Sequence, residues 1–388
     1  MRITWIKPEI ICENPPDSRH PQSICELQNV NVRRKNQITR RIKDIMTDQL
    51  KFAIVGSGYW GINYVRLISQ LNATKLVAVC DKSEERLEEA KKLFPGPRLF
   101  TDVDELLSSE VDIDAAIIST SPSSHFQIAS KFLKMGKPIL VEKPITDKSA
   151  QAKQLVDLAK SKDLTLMVGH IFLYNPAVEK IKTYINDHDL GELYYLYARR
   201  TNLGPIRKDV NALWDLAPHD ISMFNYFLDE IPESASAVGA HFLRDSLEDV
   251  GFITLSYPTG VIANIHVSWA DPHKVRETVV VGSKKRIVFD DTSAKDKISV
   301  FEKGVSAKIT EPKSYGEYQL SIRNGDIIIP HIGIGEPLKR QVEHFIDCVL
   351  NGKKPLTDGV NGLQIVQVME AIDASMQQNG TPVTVWNN

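Results

Sequence analysis

The chain has 388 residues, 42% of them hydrophobic and 25% charged, with a formal net charge of −2. That composition belongs to a globular chain long enough for two domains and excludes disordered and collagen-like sequences. The near-zero net charge gives no electrostatic case for nucleic acid as a partner, and no run of about 18 apolar residues is present to span a membrane. Four scattered cysteines (Cys12, Cys25, Cys80 and Cys348) suggest neither a disulfide framework nor a zinc site, which fits a reducing, cytoplasmic setting.

The first fifty residues carry nine Lys/Arg against six Asp/Glu, including the cluster Arg33, Arg34, Lys35, Arg40, Arg41 and Lys43. They show no sustained apolar period and no signal-peptide core, so residues 1–45 are expected to be disordered and dispensable, with Met46 the ordinary start of the folded chain. From Lys51 onward short apolar strands alternate with helices. Strands are expected at Phe52–Val55, Leu76–Cys80, Arg98–Phe100, Ala115–Ser119, Pro138–Val141 and Leu164–Val168. Helices are expected at Trp60–Leu71, Ser83–Leu93, Asp102–Leu107, Ser123–Met135 and Asp147–Lys160. Six such strands make a doubly wound parallel sheet over residues 51–171.

The pattern then changes. Helices at Pro176–Asn186 and Pro218–Leu228 flank a long strand, Glu192–Thr201. Five strands follow: Ala235–Phe242, Val250–Tyr257, Val261–Trp269, Arg276–Val281 and Arg286–Asp290. Their tight turns indicate a largely antiparallel sheet, and helices return at Leu338–Leu350 and Gly362–Met376. The fold class is therefore α/β, with a dinucleotide-binding domain at 51–171 and a second α/β domain with an open, mostly antiparallel sheet at 172–388.

Gly56-Ser57-Gly58-Tyr59-Trp60-Gly61 matches G-x-G-x-x-G between a strand and a helix. The first glycine permits a tight turn, the second lets the backbone approach a pyrophosphate, and the third packs helix on strand. Asp81 ends the second strand, where a carboxylate accepts ribose hydroxyls and repels a 2′-phosphate. This pairing predicts NAD rather than NADP, with Lys82 and Arg86 as neighbouring cofactor contacts.

Two further segments, Val141-Glu142-Lys143-Pro144 and Trp214-Asp215-Leu216-Ala217-Pro218-His219-Asp220, together with Thr120–His125 and Gly169-His170, resemble the Gfo/Idh/MocA family over residues 51–388. The resemblance implies a Rossmann domain joined to an α/β domain whose open sheet lies beside the nicotinamide. It implies NAD(P)-linked oxidation or reduction of a sugar, cyclitol or nucleotide sugar, and a Lys143–Pro144 peptide that is often cis. It assigns catalysis to Lys143, Asp215 and His219. One departure stands out: many members carry an arginine in G-H-x-x-R-F-x-P, and here Leu173 holds that position.

Oxidising a secondary alcohol leaves a proton, and an imidazole titrating near neutrality suits the task. His219 is read as the base, Lys143 as the donor that stabilises charge on the same oxygen, and Asp215 as the group orienting the imidazole. Pro218 is read as a first-turn residue, with Asp215 in the entering loop and Asp220 complementing the helix dipole. Ser119, Thr120, Pro122, His125 and Glu142 complete the expected cofactor contacts, with Lys143 shared between cofactor and catalysis. Tyr174, Asn175, Asn202 and Arg207, with Asp215 and His219, make the expected substrate contacts. No histidine, cysteine or carboxylate spacing suggests a metal. The expected partner is a small sugar or nucleotide sugar, in a homodimer or homotetramer. The competing readings are an NAD-dependent glycosidase and a non-catalytic NAD-binding sensor or repressor.

Overall fold

The computed structural model describes residues 49–204, 206–305 and 322–385. The expectations for residues 1–45 lie outside the described residues.

Strands β1 (Leu50–Val55), β2 (Thr74–Cys80), β3 (Arg98–Phe100), β4 (Ala115–Ile118), β5 (Ile139–Val141) and β6 (Leu166–Val168) form a parallel sheet in the order 3-2-1-4-5-6. Apart from Lys51, Thr74, Lys75 and Arg98 at or near the strand starts, these strands are apolar, because both faces are covered. Helices α1 (Gly61–Gln70) and α2 (Glu84–Leu93) bury Tyr64, Ile68 and Leu87 against Phe52, Ile54 and Val79. On the opposite face α4 (Pro122–Lys134) and α5 (Ser149–Ser161) bury Phe132, Leu133 and Leu155 against Val55, Ile118 and Val141. Local signals set the helix starts. Ser83 caps α2 by accepting from Arg86 N, and Asp102 caps α3 (Val103–Ser108) by accepting from Asp104 N and Glu105 N.

After a 3₁₀ turn at Ile171–Tyr174 and helix α6 (Pro176–Asn186), the chain enters the second sheet. Its strands are β7 (Leu193–Thr201), β8 (Ser234–Ala240), β9 (Val250–Ser256), β10 (Ile262–Ser268), β11 (Val275–Gly282), β12 (Arg286–Asp290) and β13 (Ile298–Phe301). The short pair β14 (Gly304–Val305) and β15 (Ile322–Arg323) stands apart, while β16 (Ile327–Ile328) and β17 (Val383–Thr384) edge the large sheet. The order is 16-13-12-11-7-10-9-8-17, and only the β7–β10 pair is parallel. One face packs Ile253, Leu255, Ile265 and Val267 against Ile221, Phe224 and Phe227 of helix α7 (Ala212–Leu228). The other face leaves Tyr194, Tyr195, Phe252 and Ile262 exposed.

Helices α8 (Pro337–Asn351) and α9 (Gly359–Gln377) return the chain to the first sheet. Phe345 of α8 meets Phe52 edge-on, with ring centroids 6.1 Å apart. Val366 of α9 joins the core of the first sheet, while Ile365, Val368 and Ile372 join that of the second. Helix α9 therefore belongs to both layers, and α8 to the first.

Strands β13, β16 and β17 carry too few residues for an alternating pattern to announce them. The larger departure is α7. The helix begins at Ala212, six residues before Pro218, because Asn211 caps it by accepting from Trp214 N. Pro218 thus lies inside the helix, where it cannot donate to the Trp214 carbonyl. The expectation of Asp215 in an entering loop is corrected accordingly: Asp215 and His219 are one turn apart on the same helical face.

Candidate active site

The glycine-rich turn is held by space as much as by conformation. Gly56 has φ +92°, and a Cβ there would lie 2.4 Å from the Ser119 carbonyl oxygen. A Cβ on Gly61 would lie 2.0 Å from the Gly56 carbonyl oxygen. Beside this turn a cavity of about 440 Å³ is lined by Gly56, Gly58, Asp81, Lys82, Arg86, Ser119 and Thr120 among others. Asp81 closes one wall. Its Oδ2 accepts from Ser57 N at 2.8 Å and from Ser57 Oγ at 3.3 Å, and its Oδ1 accepts from Ser83 N at 2.9 Å. The Arg86 guanidinium stands 3.8 Å from Oδ1. Each carboxylate oxygen offers two lone pairs, so capacity remains for a ligand hydroxyl.

Tyr59 is 94% exposed at the outer edge of the turn, whereas Trp60 donates from Nε1 to Glu142 Oε1 at 2.7 Å. Glu142 is buried, accepts from the Tyr64 hydroxyl at 2.5 Å and takes its own neighbour's Lys143 N at 3.1 Å. Burial raises its pKa despite these donors. Gly169 exists at this contact because a Cβ would meet the Glu142 carboxyl carbon at 2.9 Å. Pro122 opens α4.

His125 was expected to touch the cofactor, but its ring lies fully buried with Nδ1 at 2.9 Å from Pro144 O and Nε2 at 3.1 Å from Thr120 O. Both nitrogens face main-chain carbonyls, so the side chain fixes the loop that follows β5. The Lys143–Pro144 peptide in that loop is cis.

Lys143 leaves the end of β5 and crosses to α7. Its Nζ donates to the Asp215 carbonyl at 2.8 Å and lies 3.8 Å from Asp215 Oδ1. Burial lowers its pKa, opposed by the nearby Asp215 and Glu142 charges. Asp215 Oδ1 also takes Arg207 Nη1 at 3.0 Å, and Arg207 forks onto Asp209 at 3.0 and 2.6 Å. The expected Asp215–His219 bond is absent: among the described residues His219 Nδ1 is buried with no partner. The geometry explains why. One turn along the helix the Asp215 carboxylate meets two cations, which hold it more strongly than a neutral imidazole would.

The His219 ring instead meets Phe172, with centroids 5.0 Å apart and planes at 61°. Its pKa lies well below the ordinary histidine value, first through burial, then through Lys143 and Arg200. Asp220, expected to complement a helix dipole, is corrected too: it is buried and takes Arg200 through Nε at 2.9 Å and Nη2 at 2.8 Å.

Two expected substrate residues are engaged elsewhere. Tyr174 is buried, with its hydroxyl 3.1 Å from Thr357 Oγ1, and Asn175 caps α6 by accepting from Ala177 N at 2.9 Å. Asn202, half-buried, follows β7 and donates its main-chain N–H to Ser268 O. Leu173, at the position of the absent arginine, lies in the second-sheet core.

Sequence reasoning underrated two groups. His170, buried at the end of β6, has no partner at either ring nitrogen, and burial plus Lys143 lowers its pKa to about 3. Arg244, in the β8–β9 connection, packs on Trp269 at 5.1 Å and donates through Nη1 to the Arg207 carbonyl, while Nε and Nη2 are buried without partners. The Gly169-His170 pair was visible in the sequence, but nothing in a loop arginine marks it as unpaired.

A model described as an oxidoreductase family with an NAD-binding Rossmann fold matches residues 50–170, and the GFO/IDH/MocA C-terminal domain matches residues 178–288. The chain belongs to the Gfo/Idh/MocA family. Among curated Gfo/Idh/MocA relatives, UDP-N-acetylglucosamine 3-dehydrogenase of Acidithiobacillus ferrooxidans is 25% identical, covering 85% of this chain and 99% of its own. The scyllo-inositol 2-dehydrogenase (NAD(+)) of Bacillus subtilis is 24% identical, covering 87% and 97%. The solved WlbA dehydrogenase of Bordetella pertussis, in complex with NADH and UDP-GlcNAcA, shares the fold at TM-score 0.72 and 20% identity, covering 88% and 100%. The Gfo/Idh/MocA assignment makes the chain an NAD-dependent oxidoreductase. These relatives are dehydrogenases, which does not favour the glycosidase or sensor readings. No helix among the described residues is long and apolar enough to cross a membrane.

Proposed function

We propose that this cytoplasmic enzyme transfers a hydride between NAD and a hydroxyl or keto carbon of a sugar, cyclitol or nucleotide sugar, with Lys143, Asp215 and His219 handling the proton. The observation that carries the reading is the meeting of Lys143, just after β5, and Asp215, on α7, beside imidazoles with ring nitrogens that lack partners among the described residues. Gly56, Gly58 and Asp81, with Ser119 and Thr120 opposite, fit a dinucleotide: they form a glycine-walled cavity ending in a carboxylate. A bound nicotinamide supplies the hydride acceptor or donor.

The chain's own groups manage the rest. Lys143 Nζ donates to the substrate oxygen and stabilises negative charge on it as the O–H bond breaks. His219, neutral because its pKa is depressed, accepts the released proton. Asp215 holds the Lys143 ammonium in place through its carbonyl and offsets its charge through its carboxylate. In reduction the same proton returns from His219 to the alkoxide oxygen.

The free guanidinium edge of Arg244 favours an anionic substrate, a nucleotide sugar, within this class. Nε and Nη2 are the pair that grips a carboxylate or phosphate side-on, and Arg200 uses the same two atoms for Asp220. The exposed Tyr194, Tyr195, Phe252 and Ile262 face supports a homodimer or homotetramer built on the second sheet.

The test is turnover of UDP-N-acetylglucosamine, scyllo-inositol and neutral aldoses with NAD+, followed by NADH absorbance. Lys143→Ala is expected to lower kcat by about 10²-fold or more while the NADH dissociation constant holds. Unchanged turnover in that variant would overturn the assignment.

A further inference from the structure

Asp215 does not reach the His219 ring, and no other described residue bonds its buried Nδ1. A proton acceptor whose ring is unbonded can turn about its side-chain torsion unless packing prevents it. The packing is unusually specific. Arg200, on β7, and Asp220, on α7, are 5% and 1% exposed and form a two-bond fork at 2.9 and 2.8 Å. The Arg200 guanidinium carbon lies 4.6 Å from the centroid of Phe172, and that ring meets His219 at 5.0 Å. Asp220 and His219 are consecutive residues. The contacts therefore close a circuit from His219 to Phe172, to Arg200, to Asp220 and back along the helix backbone.

We infer that the Arg200–Asp220 pair is a positioning device for His219, acting through the Phe172 ring. This rests on the reading of His219 as the proton acceptor. The physical argument is geometric. The planar fork fixes the guanidinium in orientation as well as place, which a lysine ammonium would not. A fixed guanidinium holds the electron-rich face of Phe172, and a fixed Phe172 leaves the imidazole one edge-to-face arrangement. Because Asp220 cancels the Arg200 charge, the cation can stand near the proton acceptor while its field there is reduced. The circuit spans β7, α7 and the turn after β6, so it also ties the imidazole to the strand end that carries His170. Two features of the sequence share an explanation here. The segment after Gly169-His170 carries Phe172 at a position that the family pattern leaves open, and its arginine position holds the core residue Leu173. The cation against that aromatic ring comes from the second sheet instead.

The test uses the full-length, NAD-loaded enzyme and four variants: Phe172→Leu, Phe172→Tyr, Arg200→Lys and the double variant Arg200→Met/Asp220→Leu. The double variant removes the pair without leaving one buried charge unpaired. With UDP-N-acetylglucosamine or scyllo-inositol as substrate, Phe172→Leu, Arg200→Lys and the double variant are expected to lower kcat about tenfold, with KM and the NADH dissociation constant within about threefold. Phe172→Tyr should retain wild-type kcat. The acid limb of the kcat profile should move to higher pH in Phe172→Leu, since water reaching the ring relieves its burial. Lys143, Arg200, His170, Arg276 and the Asp215 carboxylate face the same ring or its helix and remain in place in that variant.

A second readout needs no turnover. The ¹⁵N signals of the His219 ring should be single and sharp in the wild type and doubled or exchange-broadened in Phe172→Leu and the double variant. Sharp, unshifted ring signals with unchanged kcat in either variant would overturn the inference. If neither substrate is oxidised, the functional reading fails while the ring signals still decide the positioning role. If Lys143→Ala abolishes turnover but Phe172→Leu does not lower it, the functional reading stands and the positioning role falls.

Discussion

The two ends of the cleft differ in how far their polar groups are already matched. At the dinucleotide end Asp81 has three donors and Glu142 has three. On the substrate side of Lys143 the reverse holds. Among the described residues, five of the nine buried side-chain atoms without partners belong to His170, His219 and Arg244. Each such atom costs about 1–3 kcal/mol when left unmatched. A fold that tolerates five in one region has left hydrogen-bonding capacity for something with hydroxyls or anionic oxygens to fill. The cofactor end is built to keep one shape, and on the proposed assignment the other end is completed by what binds there.

The largest expected effect breaks the rigid end. In Gly61→Ala the new Cβ would lie 2.0 Å from the Gly56 carbonyl oxygen, main chain within the same turn. Nothing flexible can yield, so the turn must open. NADH affinity measured by fluorescence titration should fall by at least about 10²-fold, with melting lowered by several degrees. Gly58→Ala is the control, because its Cβ would meet only the Arg86 guanidinium, at 3.3 Å. That side chain can move, so the melting temperature should hold, and any loss of NADH binding would report the ligand's own need for space. Equal destabilisation in both variants would remove the claim that the turn is rigid by construction.

The same contrast explains what the sequence could disclose. The dinucleotide half was legible because its constraints are local: a glycine spacing, strand-helix alternation, and a carboxylate at a strand end all lie within short windows. The Lys143 strand end and the Asp215–His219 helix were legible as motifs. Their mutual geometry was not, because Pro218 reads as a helix start and the true start depends on the Asn211 cap. Tyr174 and Asn175 were misassigned for a related reason. Their neighbours suggest a cleft, but Tyr174 is drawn into the core by Thr357, 183 residues away in sequence. The Arg200–Asp220 fork joins a strand to a helix 20 residues on, and no periodicity reports such a pair.

The unmatched end should respond to ligand charge. Arg244→Leu removes the free guanidinium edge while keeping an apolar contact with Trp269. A hydrogen bond to a charged group contributes about 1.5–3 kcal/mol, so KM for UDP-N-acetylglucosamine should rise roughly ten- to a hundredfold. Turnover of neutral scyllo-inositol, where detectable, should change less than about threefold. A parallel loss for both substrates would make Arg244 a prop for the main chain at Arg207, and the matched-against-unmatched contrast would lose its anionic half.

The smallest effect concerns stability, and its sign follows from His170. The buried ring has its pKa lowered to about 3, against 6.5 when unfolded, because burial and Lys143 both disfavour the imidazolium. Between those values the unfolded chain binds the extra proton and the native chain does not, so stability falls as pH drops through this window. His170→Asn removes the titration. Urea unfolding of wild type and variant at a series of pH values from 7 to 4 should show the wild type losing stability faster on acidification, with a difference in slope approaching about 1.4 kcal/mol per pH unit below pH 6. Substrate bound to His170 would hydrogen-bond the neutral ring and extend that dependence to lower pH without steepening it, because one proton already sets the limit of the slope. Identical slopes would mean that His170 is already matched to water or to the chain. In that case the substrate end would be less open to its ligand than its unpaired nitrogens indicate.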